Sequence, residues 1–148
     1  MKKLILLLSV VFFSSCATHT SFNSFYQKNQ KDSDFSLGLN ASLIKPFLSG
    51  EDYEDVKPLL KKAKHIRILV FSENYKENSD KFNKFIKKSD FEKVIKIKDD
   101  DDQIAFFTLE DKNKIKEIVL QIDSDNDLVL LGLKTNLTQK DIDKLMSQ

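Results

Sequence analysis

The chain of 148 residues has little cysteine, glycine, proline and histidine, with one, three, two and two residues respectively, and no tryptophan. One thiol excludes an intrachain disulfide, so the folded part must be stabilised by its core. Three scattered glycines exclude a glycine-rich loop that cradles phosphate groups. A serine nucleophile on a glycine-flanked elbow is absent from the sequence as well. These absences exclude several enzyme classes.

Charge of either sign is also not in excess. The chain has 24 basic and 23 acidic residues, 32% charged and 41% hydrophobic residues overall. This balance is typical of a globular domain rather than a disordered chain. Near-neutrality argues against nucleic-acid binding, which needs a basic surface.

A long apolar run occurs only at the N-terminus. The uncharged stretch 4–13 follows Lys2 and Lys3, which is typical of a secretory signal. It is too short for a membrane span, which needs about 20 apolar residues. Two serines then precede Cys16, and this junction resembles the lipobox of bacterial lipoproteins. The alternative is a cleaved secretory signal with an incidental cysteine.

The domain organisation follows from this junction. We predict a lipoprotein signal peptide at 1–15, a lipidated Cys16 with a tether at 16–24, and a single α+β domain at 25–148. Cys16 would carry a diacylglycerol and an acyl chain, which anchor firmly because several chains act together. Removing the signal leaves 22 basic against 23 acidic residues. No other cofactor is predicted.

The first half of the domain alternates helices and strands. The segments "DFSLGLN" and "HIRILVF" predict strands, and apolar spacing from Phe22 predicts a short helix. Helices are predicted over "SLIKPFLSG", over "DVKPLLKKAK" with Asp55 as its cap, and over about 80–88. Strand "HIRILVF" is apolar on both faces, as is the later segment "DLVLLGLK", which favours a central place in a sheet for both.

From residue 91 the period changes to two. The segments "FEKVIKIK", "QIAFFTLE", "IKEIVLQI" and "DLVLLGLK" predict four antiparallel strands in a meander. Thr138 and Asp141 have the spacing of a helix cap, so a short C-terminal helix should follow. The prediction is an α+β fold: a mainly antiparallel sheet with a four-strand C-terminal meander, helices packed on one face, and a short C-terminal helix.

The Ser-Ser-Cys junction, "HIRILVF", the meander and the last helix together resemble a family. They resemble small lipoproteins of Bacteroidetes catalogued as domain of unknown function 4252. The resemblance implies an exported, lipid-anchored domain of Gram-negative envelopes without a known activity. Its surface-exposed relatives often carry an acidic cluster after the cysteine, which "CATHTSFN" lacks. The expected location is therefore the outer membrane, with the domain facing the periplasm.

Two acidic turns are the candidate metal site. "DDDD" joins the first and second meander strands, and "DSDND" joins the third and fourth. Alternate turns of a meander lie at the same end of the sheet, so these two turns should lie close together. The predicted ligands, suited to calcium, are Asp99, Asp100, Asp101, Asp102, Asp123, Asp125 and Asp127. Leu128 stands where an EF-hand needs glycine, so that motif is excluded. The alternative is two hairpin turns rich in residues that tolerate turn conformations.

The sequence favours binding over catalysis. His65 lies beside Arg67 without a marked nucleophile or carboxylate, so we interpret it as structural. We predict a non-enzymatic, lipid-anchored envelope domain that binds another envelope protein through an uncovered sheet face or through the two acidic turns, which together form an acidic rim. The alternatives are a periplasmic calcium or small-ligand module on the acidic rim, and a hydrolase built on two carboxylates.

Overall fold

The computed structural model describes residues 20–47 and 51–146. The predicted signal peptide, Cys16 and the first part of the tether lie outside the described residues. Within the described ranges, no helix has both the length and the apolar character that crossing a membrane requires.

The described residues form four α-helices and six strands. The helices are α1 (Phe22–Asn29), α2 (Glu51–Lys62), α3 (Tyr75–Lys88) and α4 (Gln139–Met146). The strands are β1 (Phe35–Asn40), β2 (His65–Phe71), β3 (Glu92–Asp99), β4 (Asp102–Asp111), β5 (Lys114–Asp123) and β6 (Leu128–Leu137). Helix α1 begins inside the 16–24 segment that the sequence assigned to the tether.

The six strands form one antiparallel sheet in the order β1-β2-β6-β5-β4-β3. The predicted α+β class, the C-terminal meander of β3 to β6 and the short last helix are confirmed. Strands β2 and β6 are central, as their two apolar faces predicted, and the lysine-rich β3 is an edge.

Helices α1 and α3 pack on one face of the sheet, which we call the covered face. Their phenylalanines form an aromatic core with side chains of the central strands. The rings of Phe25 and Phe82 meet edge to face at 5.4 Å, and those of Phe82 and Phe107 at 5.7 Å. Edge-to-face contacts are a preferred arrangement of aromatic rings, so this core fixes α1 on the sheet.

Gly132 of β6 allows α1 to approach the sheet closely. A Cβ atom at this position would lie 2.0 Å from Cδ1 of Phe22. The Phe22 ring therefore occupies the space that any other residue at 132 would fill, and it is 2% exposed. The chain thus enters the domain on the covered face.

Helix α2 packs on the opposite face, near one end of the sheet. Ala63 and Leu133 are buried there, and Leu59 and Ile66 pack against them. The prediction of helices on one face thus describes α1 and α3, while α2 covers a smaller patch. Helix α4 contacts α2 and β6.

Two helix starts and one helix type differ from the predictions. Asp55 lies inside α2 rather than at its cap, because the helix begins at Glu51. Helix α3 begins at Tyr75 instead of about residue 80, after a left-handed Asn74. In place of the helix predicted over "SLIKPFLSG", two short 3₁₀ helices span Ala41–Leu43 and Lys45–Phe47.

The predicted cap of α4 is present. Both the amide and the hydroxyl of Thr138 donate to Oδ2 of Asp141, each at 2.8 Å. These two hydrogen bonds are the main reason that the pKa of Asp141 is lowered. The carboxylate therefore fixes the start of the helix by holding the residue before it.

Candidate functional site

The two acidic turns lie at the same end of the sheet. The turn between β3 and β4 and the turn between β5 and β6 border a surface depression of about 490 Å³ beside α3. Asp101, Asp123 and Asp125 line it together with Lys76 and Lys98. The lysines place positive charge next to the carboxylates, so the depression is not purely acidic.

The other predicted ligands are placed differently. Asp100, Asp102 and Asp127 do not line the depression, and Asp99 is described here only as the backbone partner of Asp102. Asp100 has a left-handed φ of 46°, a conformation that aspartate tolerates better than most residues. This agrees with the alternative explanation, in which the aspartates serve the turns.

Asp123 already has hydrogen-bond donors. Its Oδ2 accepts from Nε2 of Gln121 at 2.6 Å and from the hydroxyl of Ser79 at 3.3 Å. Where side chains are described, no three carboxylate, imidazole or thiol groups are placed to hold one metal ion. Calcium binding by the seven aspartates stays the alternative to the turn explanation.

His65 lies at the start of β2 in a different depression, of about 340 Å³. The described residues around it include Tyr26, Gln27, Gln30 and Arg67, and none of those that line it is a carboxylate or thiol. The side chain therefore has no partner there that would make it a general base.

A buried carboxylate that the sequence analysis missed lies beneath α1. Glu117 is 8% exposed on the covered face, and its Oε2 accepts a hydrogen bond of 2.9 Å from the amide of Phe22. Burial raises the pKa of Glu117, while that hydrogen bond and the charges of Lys134 and Arg67 lower it in part. Its alternation with the inward residues Val119 and Gln121 was the available signal in the sequence.

Glu117 binds the first helical amide of α1. The amides at a helix N-terminus lack partners within the helix, and a carboxylate there also faces the positive end of the dipole. This contact fixes the place where the chain enters the domain. It also accounts for the burial of this carboxyl group, because the Phe22 amide is its hydrogen-bond donor.

The opposite face of the sheet carries two apolar rows, each of which crosses all six strands. The first row consists of Leu37, Ile68, Leu131, Leu120, Phe106 and Ile95. The second row consists of Phe35, Val70, Val129, Ile122, Ile104 and Ile97. We call these twelve side chains the open face.

The open face is in contact with solvent across its whole width. None of its side chains falls in the buried class, and none belongs to either buried cluster. Exposure is largest on the two edge strands, with 51% for Phe35, 49% for Ile95 and 51% for Ile97. A third row, through Ile66, Leu133 and Ile118, is the one that α2 covers.

The open face is as large as the apolar patches that often serve as interaction sites. Six strands about 4.8 Å apart and two rows about 7 Å apart give an area of about 400 Å² before the relief of the side chains is counted. The largest contiguous apolar patch of a soluble monomer is typically about 300–600 Å² and is often functional. The open face is therefore the candidate functional site.

The comparison with known proteins identifies a family and no activity. A family model described as "Domain of unknown function (DUF4252)" matches residues 25–145. The match covers every element from the middle of α1 to α4. No curated protein and no solved structure matches this chain.

Proposed function

We propose that this chain, which belongs to the DUF4252 family, is a lipid-anchored envelope domain that binds a protein through the open face. The description of the family states no activity. The observation that carries this proposal is the pair of apolar rows in contact with solvent. Covering them would bury twelve apolar side chains, none of which is in the buried class.

The role is binding rather than catalysis. The most deeply buried carboxylate described, Glu117, holds the amide of Phe22, and Asp123 is held by Gln121. Both carboxyl groups are thus engaged in hydrogen bonds that stabilise the fold. A docking surface, in contrast, needs only shape and apolar area, which the open face supplies.

The anchor is the lipid on Cys16, in the outer membrane and with the domain in the periplasm. The support is the sequence: a positive start, an uncharged run and two serines before the single cysteine. Only five residues separate Cys16 from Phe22, so the domain stays within about 20 Å of its anchor point. Cys16→Ala should abolish incorporation of radiolabelled fatty acid and release the protein from membranes. A Cys16→Ala protein that still incorporates the fatty acid would refute the anchor.

The docking role is tested by photo-crosslinking in cells. The full chain receives p-benzoylphenylalanine at Phe106, which lies in the first row and is already aromatic. The matched control carries the same group at Asn83, an exposed residue of α3 above the covered face. We expect a discrete protein adduct from position 106 and none from position 83.

Two further variants at one position make the test specific. Leu120→Lys places a charge at the centre of the open face, and Leu120→Met keeps it apolar. The lysine should abolish the adduct, because an interface would bury its charge, and the methionine should retain it. Absence of an adduct from position 106, or an adduct that survives Leu120→Lys, would refute the docking role.

A further inference from the structure

We infer that the occupant of the open face is a second copy of this chain, packed face to face as a two-layer β-sandwich. This inference rests on the proposed docking role and names its partner. The one-sided cover of the sheet leads to it: α1 and α3 complete one face, and the rows on the other face lack a second layer.

The chemistry of the open face suits its own copy. Its twelve side chains are all aliphatic or aromatic hydrocarbons, without a charge or a hydrogen-bonding group. A partner that is recognised through charges would find none to pair with. The complementary surface is another uncharged sheet face, and a second copy supplies one with the same dimensions.

The composition of the rows is that of the inside of a sandwich. Seven of the twelve side chains are valine or isoleucine, which pack well on a pleated surface. Two such sheets stack about 10 Å apart with strands at about 30°, so side chains from the two faces interdigitate. Rows that cross all six strands allow this contact over the full width of the sheet.

The area is sufficient for a weak dimer. Each copy offers about 400 Å² of flat sheet, and the relief of the side chains raises the accessible area, so a pair buries on the order of 1,000 Å². This is near the lower limit for a specific interface. Attachment to one membrane raises the effective concentration of the copies, which favours association without new contacts.

The attachment point is compatible with this pairing. The chain enters at Phe22 on the covered face, so the lipid anchors of two paired copies leave from the outer surfaces of the dimer. A twofold axis normal to the bilayer then keeps both copies in one leaflet, because each tether lies outside the interface. The same placement puts the lipid on the side opposite the open face.

The experiment uses two distinguishable full-length copies in one cell. One copy carries p-benzoylphenylalanine at Phe106, and the other carries an affinity tag that changes its mass. We expect an adduct that contains both copies and migrates at the sum of their masses. Leu120→Lys in either copy should reduce this adduct at least about tenfold, because the interface would bury the lysine charge. A tenfold loss of affinity corresponds to about 1.4 kcal/mol.

A second variant protects the test against a folding defect. Ile97→Lys alters the end of the second row, where the side chain is 51% exposed in a single copy. The lysine is therefore hydrated in the unpaired domain and would lose that water when a second copy covers the row. Resistance to added protease reports the fold of each variant. A folded Ile97→Lys protein that forms the mixed adduct as well as the unaltered chain does would overturn the dimer.

The remaining outcomes separate the two proposals. A specific adduct whose mass and tag show a different protein would refute the second copy and leave the docking role standing. A label that transfers only to lipid would refute both, and assign the open face to the bilayer. Absence of any adduct from position 106 would also refute both.

Discussion

Gly132→Ala should destabilise the domain by displacing α1. The new Cβ would lie 2.0 Å from Cδ1 and 2.5 Å from Cε1 of Phe22, whereas ordinary contacts are 3.4–4 Å. The ring must therefore retreat by about 1.5 Å to restore van der Waals distance. It has little room, because it packs against Phe25 and Phe82 with centroids 6.2 and 6.3 Å away.

The magnitude is a balance of two effects. Overpacking of a well-filled core costs about 1–3 kcal/mol. Replacing glycine by alanine within a strand returns about 0.5–1 kcal/mol, since glycine loses more conformational freedom on folding. We therefore expect a net loss of about 1–2 kcal/mol in the free energy of unfolding.

The assay is urea denaturation, with Gly38→Ala as the matched control. Gly38 also lies in a strand on the covered face, but its nearest atom is the Tyr26 hydroxyl at 3.0 Å, at the end of a side chain. A small movement of that ring suffices, so the control should change stability by less than about 0.5 kcal/mol. In a Phe22→Ala background, the cost of Gly132→Ala should disappear.

Either of two results would refute the reasoning. A Gly132→Ala protein as stable as the unaltered chain would mean that the Phe22 ring does not rest on β6. An equal loss in the Phe22→Ala background would mean that the alanine clashes with something else. Both would also remove the argument that the chain enters on the covered face.

Two further predictions concern the carboxylates. Glu117→Gln keeps an acceptor for the Phe22 amide and removes the charge. Burial raises the pKa of Glu117 in the folded protein. The contribution of Glu117 to stability is therefore present below about pH 4.5 and is lost as the pH rises through the pKa of the folded protein. The variant should therefore lose less stability than the unaltered chain over that rise and be at least as stable at pH 7 by urea denaturation; a parallel pH profile would contradict this. Calcium should not raise the melting temperature more than magnesium at matched ionic strength, since Asp123 is already hydrogen-bonded and lysines line the depression; a calcium-specific rise that is lost when Asp99–Asp102 become asparagine would contradict this.

Local pattern predicted most of the fold. The strands were found because their apolar residues either alternate, as in β1, or run continuously, as in β2 and β6. The cap of α4 was found because Thr138 and Asp141 are three residues apart. The starts of α2 and α3 were misplaced, since acidic first turns resemble the polar loops that precede helices. Central β2 and β6 followed from their apolar character on both faces.

The open face could not be predicted from local pattern alone. Apolar residues at consecutive positions of β4 and β5 indicate that both faces of these strands are apolar. The same pattern is typical of a strand that is buried on both sides. Whether a helix covers a row depends on where α2 docks, and that follows from contacts such as Leu59 with Leu133, far apart in the chain. The close approach of Phe22 to Gly132 is likewise a long-range contact, as is the capture of its amide by Glu117.

The position of α1 also determines how the domain responds to mechanical force. A pull on a lipid at Cys16 would enter the fold at Phe22, the first residue of an eight-residue helix. It would first strain the hydrogen bond from Phe22 to Glu117, and then lift the aromatic side chains off β6 one turn at a time. The sheet, whose strands are joined by parallel sets of hydrogen bonds, would stay intact. In such a chain the short helix would yield first and absorb the extension, so that a stretched anchor need not unfold the domain.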